Sequence, residues 1–208
     1  MTERGDVDES KRATLRRFAA LGAVSPLARF VNPTATGHGD SDARTAIAGF
    51  VTTTPGAHFS KIRDDLQLGN GEAQHHLRTL VEAGAIESYR DGDYRRFYPA
   101  GQFDSFEKVA LGYLRRETPR GMLIELLRTP DASGSGLAES LDVSRPTVSK
   151  YVSELESAGL LTREDGYAVR KPETVILLLV GYAASFDANA VSFAREADAL
   201  ISFAPADS

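Results

Sequence analysis

Basic side chains cluster at two places in this 208-residue sequence, although the chain as a whole is acidic, with a formal net charge of -5. They surround two short segments with turn-forming tips, DGD and EDG, and comprise Arg90, Arg95, Arg96, Arg163, Arg170 and Lys171. Contacts to phosphate depend on positive charge at the point of contact. The chemistry that these residues suit is therefore recognition of a phosphate-bearing partner.

Other kinds of chemistry lack the residues that they need. Cysteine is absent, which excludes disulfides, thiolate metal sites and a cysteine nucleophile. Two of the four histidines, His75 and His76, are adjacent and would point in different directions on a helix. The sequence contains no Walker loop, G-x-S-x-G elbow, H-E-x-x-H pair or G-x-G-x-x-G turn after a strand. We predict no metal site, no cofactor and no catalytic residue, and hence a protein that is not an enzyme.

Composition favours a soluble globular protein, since 42% of the residues are hydrophobic. Acidic residues exceed basic ones and arginine far outnumbers lysine. This balance resembles that of proteins that stay hydrated in concentrated salt, although a GC-rich genome would also favour arginine. The longest apolar run, Val175–Ala184, is about half of the roughly 18 residues that span a bilayer. We predict a buried helix there.

One plan occurs twice along the chain. From Thr45 to Pro99 the patterns are helix, short break, helix, the turn LQLGNG, a third helix ending at Ala-Gly, and two short strands joined by DGD. From Arg120 to Arg170 the order repeats, with the turn LDVS and a third helix that also ends at Ala-Gly. The sequence thus predicts two domains of the same design.

The third helix of each copy has one apolar and one polar face at helical spacing. The predicted buried residues are Ala73, Leu77, Leu80 and Val81 in the first copy, and Val148, Val152 and Leu155 in the second. Glu72, His75 and Thr79 face outward in the first copy, with Gln74 and Arg78 beside them, whereas Pro146, Thr147, Lys150 and Ser153 face outward in the second. Ser144 is the expected N-cap of the second copy's helix, and Pro146 suits its first turn.

Three helices followed by a basic hairpin resemble the winged helix-turn-helix plan. HFSKIRDDLQLGNGEAQHHLRTLVEAGAIESYRDGDYRRFYP is similar to winged domains of archaeal regulators related to the ArsR and MarR groups, with a G-x-x-Q-x-H-L helix. SRPTVSKYVSELESAGLL resembles the same superfamily more cleanly. The resemblance covers about half of the chain and implies a mainly α fold with small β-wings, of the α+β class.

The resemblance also implies which side chains touch double-stranded DNA. In such proteins the outward face of the third helix enters the major groove, and wing arginines contact phosphates or the minor groove. Carried to this chain, the first copy would use Gln74, His75 and Arg78 on the helix and Arg95 and Arg96 on the wing. The second copy would use Arg145, Thr147, Ser149, Lys150 and Tyr151 with Arg163.

Several of these positions have competing interpretations, since an outward residue such as Gln74 or His75 on a helix is usually only solvated. Arg95 and Arg96 alternate across a strand, so one should face outward while the other packs its stem on the domain or pairs with Asp91 or Asp93. Glu72 departs from the family pattern, because a carboxylate near phosphate is repelled. On this ground we expect the second copy to lead in DNA binding.

The remaining helices exceed what a small winged domain needs for its core, and we expect them to form a homodimer or, alternatively, to fold back on their own chain. The leading function is a sequence-specific transcriptional regulator, and the alternative is a protein-docking or chromosome-architectural role. No residue set indicates a particular small-molecule effector. The expected boundaries are a helical lead-in and linker, the first winged domain, a linking helix, the second winged domain and the C-terminal helices, at 1–40, 41–100, 101–118, 119–171 and 172–208.

The N-terminal stretch TLRRFAALGAVSPLARF, residues 14–30, has the arginine pair and short apolar run of an export signal. However, Phe18 follows the pair directly, Pro26 and Arg29 interrupt the run, and no clear A-x-A site follows. A DNA-binding regulator must also stay with the chromosome. We therefore expect a cytoplasmic protein in which this stretch is a lead-in helix, packed on the tail helices or on a dimer partner.

Overall fold

The computed structural model describes residues 9, 11, 13–20, 38–164 and 166–197. These residues fall into two compact units, Met1–Asp104 and Ser105–Ser208. Helices dominate both units and each contains a small antiparallel sheet. The predicted α+β class is confirmed.

Within the described residues, the first unit has four helices and a three-stranded sheet. Its helices are α1 (residues 13–20, with residues 9 and 11 also helical), α2 (His38–Thr53), α3 (Phe59–Asp65) and α4 (Asn70–Glu82). Its strands are β1 (Ala57–His58), β2 (Ile86–Asp91) and β3 (Tyr94–Pro99), in the order β1-β3-β2. The wing is the β2-β3 hairpin, whose register pairs Asp91 with Tyr94 and Ile86 with Pro99.

Local chemistry sets the turn between α3 and α4. The Nδ1 atom of His58 caps α3 by accepting the Lys61 N–H at 3.3 Å. Gln67 adopts the left-handed backbone conformation (φ 54°), which reverses the chain before α4 begins. The Glu72 carboxylate accepts the Gly69 N–H at 3.1 Å, so that a donor at the start of α4 is satisfied.

The apolar faces of α2, α3 and α4 meet under the sheet in one core. Ala73, Leu77 and Leu80 of α4 are buried, as the helical spacing predicts, and Val81 packs at the edge. His76 is also buried, at 2% exposure, which the sequence analysis did not anticipate. Ile47, Phe50 and Ile62 complete the layer against which α4 rests.

Helix α1 packs on this same core, which corrects the expectation that the lead-in helix lies on the tail helices or on a partner subunit. Leu15 is buried, and the Phe18 ring lies 5.0 Å from the Phe50 ring of α2 between centroids. The reason is that Leu15 and Phe18 complete the core of the first unit, to which helical periodicity did not assign them. Residues 21–30 of the proposed export-like stretch lie outside the described residues.

The second unit repeats the plan and adds helices around it. Its helices are α5 (Ser105–Leu114), α6 (Glu117–Arg128), α7 (Gly134–Ser140), α8 (Arg145–Ser157), α9 (Pro172–Tyr182) and α10 (Ala188–Glu196), with a 3-10 turn at Ala183–Ser185. Strands β4 (Leu161–Thr162) and β5 (Ala168–Val169) pair antiparallel and form its wing. Asp165, which lies between these two strands in the sequence, is outside the described residues.

The turn between α7 and α8 matches the turn of the first unit. Asp142 adopts the left-handed conformation (φ 51°) two residues before the N-cap, the same offset as Gln67 from Gly69. Ser144 caps α8 by accepting the Thr147 N–H, and Val148, Val152 and Leu155 are buried. The predicted cap and the predicted buried face of α8 are both confirmed.

Helix α5, expected as a link between the copies, packs inside the second unit against α6 and α9. A partly buried ion pair links the start of α10 to α6. The Arg120 guanidinium binds the Asp187 carboxylate, with Nε at 3.1 Å from Oδ2, and donates to the Leu114 carbonyl at 2.9 Å. Asp187 in turn caps α10 by accepting the Ala190 N–H at 2.8 Å.

Candidate nucleic-acid interface

Helix α4 presents an exposed polar face directly opposite its buried one. Gln74, His75 and Arg78 are all exposed, whereas Leu77 between them points into the core. The structure thus places all three residues that the sequence predicted for this helix on its outer side. A side chain in such a position can reach the base edges in a major groove.

A cavity of about 340 Å³ lies between α4 and the wing of the first unit. Its apolar part is formed by Phe59, Leu77 and Phe97, and its polar part by Gln74, Arg78 and Arg95. Arg95 is exposed, and its guanidinium lies 5.4 Å from the Phe97 ring centroid. The fold therefore brings together three of the predicted DNA-contacting residues, two from the helix and one from the wing.

Arg96, in contrast to Arg95, is buried. Its side chain is 2% exposed, its Nε lies 2.5 Å from the Asp91 carboxylate, and its Nη1 donates to the Gly56 carbonyl at 2.9 Å. Alternation along β3 puts Arg95 and Arg96 on opposite faces of the sheet, and the structure buries Arg96. This corrects the inclusion of Arg96 among the DNA-contacting residues, and the pairing with Asp91 is the alternative that the sequence analysis left open.

Glu72, the residue that argued against the first copy, is engaged on two sides. Its Oε2 accepts the Gly69 N–H, and the same oxygen lies 3.0 Å from the Lys11 ammonium of α1. Lys11 is a residue that sequence reasoning missed. No local pattern could have found it, since 61 positions separate the two partners.

Helix α8 presents the corresponding face in the second unit. Arg145, Ser149 and Lys150 are exposed. Thr147 is half-buried, with its hydroxyl 2.8 Å from that of Ser144, and Tyr151 is half-buried at the flank. Five predicted residues are thus on or beside one helix face.

Acidic residues of α8 accompany this basic face. The Lys150 ammonium lies 3.8 Å from the Glu154 carboxylate and 5.4 Å from the Tyr151 ring centroid. Arg163, on the wing, binds the Glu156 carboxylate at 2.7 Å and donates to the Ser153 hydroxyl at 2.9 Å. Arg163 therefore joins the wing to the C-terminal half of α8.

One histidine beside the first wing has a perturbed pKa. Burial lowers the pKa of His58 below its ordinary 6.5, and the positive charges of Arg96 and Lys61 lower it further, against smaller opposing effects from Asp64 and Asp65. The neutral ring is the form that can cap α3, because Nδ1 must accept the Lys61 N–H.

The described part of the chain has little that suits other chemistry. Within it, no three His, Asp or Glu side chains lie close enough together to hold a metal ion. Nor does any helix in the described ranges have the length and apolarity to cross a membrane. What the two exposed faces can do is donate hydrogen bonds and supply positive charge.

Each unit contains three helices with a turn before the third helix and a hairpin after it, which is the arrangement of a winged helix-turn-helix domain. A family model described as an N-terminal HTH domain matches residues 41–111. A second, described as winged helix-turn-helix DNA-binding, matches residues 115–162. The two HTH domains that the sequence predicts are thereby confirmed.

The chain is similar to an uncharacterized HTH-type transcriptional regulator of Methanocaldococcus jannaschii. The two are 28% identical over 127 residues, which is 61% of this chain and 32% of that relative. The chain therefore spans about a third of the length of the curated relative that it matches. The predicted resemblance to archaeal helix-turn-helix regulators is confirmed by this similarity. No solved structure matches the chain significantly.

Proposed function

We propose that this protein is a DNA-binding transcriptional regulator that uses both winged domains. The observation that carries the proposal is the same in each unit, a capped helix with a buried apolar face and an exposed face of hydrogen-bonding and basic side chains, next to a wing with an exposed arginine. The similar archaeal protein is itself named as a transcriptional regulator. No catalytic step is part of the proposal.

The exposed residues divide by chemistry. Gln74, His75 and Arg78 on α4 have the donors and acceptors to read base edges, a bidentate Arg suiting guanine and a bidentate Gln suiting adenine. Arg95 on the wing supplies charge for a phosphate.

The second unit divides in the same way. Ser149 and Lys150 stand on the exposed face of α8, with Thr147 beside them as a further candidate for base contacts. Arg145, Tyr151 and Arg163 stand at the margins, where phosphates would lie. Lys150 pairs with Glu154 and Arg163 pairs with Glu156, so each cation must release its carboxylate partner when it contacts DNA.

Charge reversal tests the proposal. Arg78→Glu and Lys150→Glu should each weaken binding to genomic fragments, measured by gel shift and fluorescence anisotropy, by on the order of tenfold or more. Arg95→Glu, which reverses the charge of the residue assigned to a phosphate, should in addition flatten the salt dependence by about 0.9 in log-log slope per lost phosphate contact. Arg195→Glu makes the same charge change at an exposed residue of α10, which is not one of the two reading helices, α4 and α8, and should leave binding within about twofold. A parent protein that binds no DNA at any salt concentration would contradict the proposal.

We propose that the regulator is a homodimer through α9. Leu177 is 66% exposed and Val180 40% exposed, an unusual amount of apolar surface for one short helix. Light scattering should give twice the chain mass of 22.4 kDa, and Leu177→Glu should give a monomer. A monomeric parent with intact helicity would contradict the homodimer.

A cytoplasmic location follows from the proposal, since a regulator must reach the chromosome.

Protein docking is the second candidate. It is favoured by the carboxylates of Glu154 and Glu156, which already pair with Lys150 and Arg163 and reduce the charge left for phosphate. The charge-reversal experiment separates the two functions, because a docking module would show no DNA affinity for the variants to lose.

A further inference from the structure

Helix α1 contacts both the first turn of α4 and the core of the first unit. Lys11, Leu15 and Phe18 recur at the spacing of one helix face. Lys11 contacts Glu72 in the first turn of α4, Leu15 is buried, and Phe18 packs on Phe50 of α2. Two apolar anchors thus hold a lysine against the N-terminal end of α4.

That end of α4 is the part that matters most for reading DNA, because the N-terminal residues of a recognition helix approach the base edges. Glu72 is needed there to cap the helix, yet its negative charge opposes the approach of phosphates. Its side chain is 35% exposed and that of Lys11 is 29% exposed, so both groups lie at the surface where DNA would approach. The ammonium of Lys11, 3.0 Å away, neutralises the carboxylate without disturbing the cap.

We infer that α1 is part of the DNA-binding surface of the first unit, with Lys11 as a positioning residue whose charge compensates Glu72 and permits the phosphate backbone of double-stranded DNA to approach α4. The inference rests on the proposed function. It assigns to the segment before the winged domain a role in binding, in addition to its packing on the core.

The Lys11 and Glu72 side chains permit a clean experiment. Glu72→Gln keeps a capping acceptor at this position of the helix and removes only the charge. Lys11→Met keeps an unbranched side chain and removes the ammonium, whereas Lys11→Arg keeps the charge. Affinity for one genomic duplex is measured by fluorescence anisotropy across a salt series. The comparison includes the parent, these three variants and the Lys11→Met/Glu72→Gln double variant.

The expected result is a dependence of one substitution on the other. Lys11→Met should weaken binding by on the order of fivefold in the parent and leave it unchanged within error in the Glu72→Gln background, which is the signature of coupling between contacting residues. Lys11→Arg should bind like the parent. Thermal unfolding midpoints should agree among the variants, so that a loss of fold cannot explain the loss of affinity.

Two outcomes would overturn the inference. If Lys11→Met weakens binding equally in both backgrounds, the ammonium contacts DNA directly or acts elsewhere, and if it has no effect in either, α1 has no part in binding. In both cases the parent still binds, and the proposed function stands. A parent without DNA affinity would overturn the proposed function and this inference together.

Discussion

Replacing Arg96 with methionine should destabilise the first unit by about 3 to 5 kcal/mol, the range expected when one partner of a buried ion pair is removed. The methionine can occupy the space of the arginine stem, but it donates no hydrogen bond. The Asp91 carboxylate, only 16% exposed, would lose the guanidinium at 2.5 Å, and the Gly56 carbonyl would lose its donor. An unpaired buried charge costs far more than the pair contributes when intact.

Hydrogen exchange followed by mass spectrometry is the suitable measurement, because two units in one chain need not unfold together. Peptides from residues 57–99 should exchange faster in Arg96→Met, by the factor that corresponds to the lost free energy of opening. The matched control is the next residue, since Arg95→Met removes an exposed arginine from the same strand and should change stability by less than about 0.5 kcal/mol. Equal protection in the two variants would show that the buried pair contributes nothing.

Asp187→Ala should destabilise the second unit by about 2 to 3 kcal/mol, somewhat less than for a fully buried pair because the Asp187 side chain is 36% exposed. Arg120, 7% exposed, would lose its carboxylate, and α10 would lose the cap to the Ala190 N–H. Glu196 is also on α10 and forms a more exposed ion pair with Arg128 of α6. Glu196→Ala should therefore lower the free energy of unfolding by no more than about 1 kcal/mol. Hydrogen exchange of the peptides around α6 and α10 measures both changes.

The same aspartate gives the second unit a dependence on pH. Burial alone would raise the pKa of Asp187, but the Ala190 N–H and the Arg120 guanidinium outweigh it and hold the pKa below its ordinary 3.8. The unfolded chain therefore binds this proton more readily than the folded chain, so the stabilisation is complete above the unfolded pKa and is lost as pH falls through the folded value. Asp187→Asn retains a capping oxygen and should lack this component. An unchanged acid profile in that variant would assign the effect to other carboxylates.

Features that depend on local pattern were predictable from the sequence. The buried faces of α4 and α8, the Ser144 cap and the Asp-Gly-Asp tip of the first wing follow from helical spacing and turn chemistry within a few residues. The repeated order of these elements was enough to predict two domains of one fold. His76 was missed even though it lies three residues from Ala73 and four from Leu80, positions whose spacing places it on the same side of the helix.

Contacts between distant parts of the chain were beyond sequence reasoning. The sequence could say that one of Arg95 and Arg96 faces inward, but which one depends on long-range contacts such as that of Arg96 with the Gly56 carbonyl, 40 residues away. Lys11 and Asp187 reach partners more than 60 residues away, so no spacing rule connects them. The position of α1 on the first core, in place of the tail helices, depends on volume left between side chains, which periodicity does not report.

The repetition of one turn geometry, with Gln67 and Asp142 at equivalent left-handed positions, has a consequence for valency. Under the proposed function, once α4 or α8 is bound to DNA, the chain keeps the other helix nearby, and its binding depends on an effective local concentration and no longer on the amount of protein in solution. Individually weak contacts can then add up to tight binding without any single strong one. An acidic chain with few exposed cations on each reading face is suited to that kind of avidity.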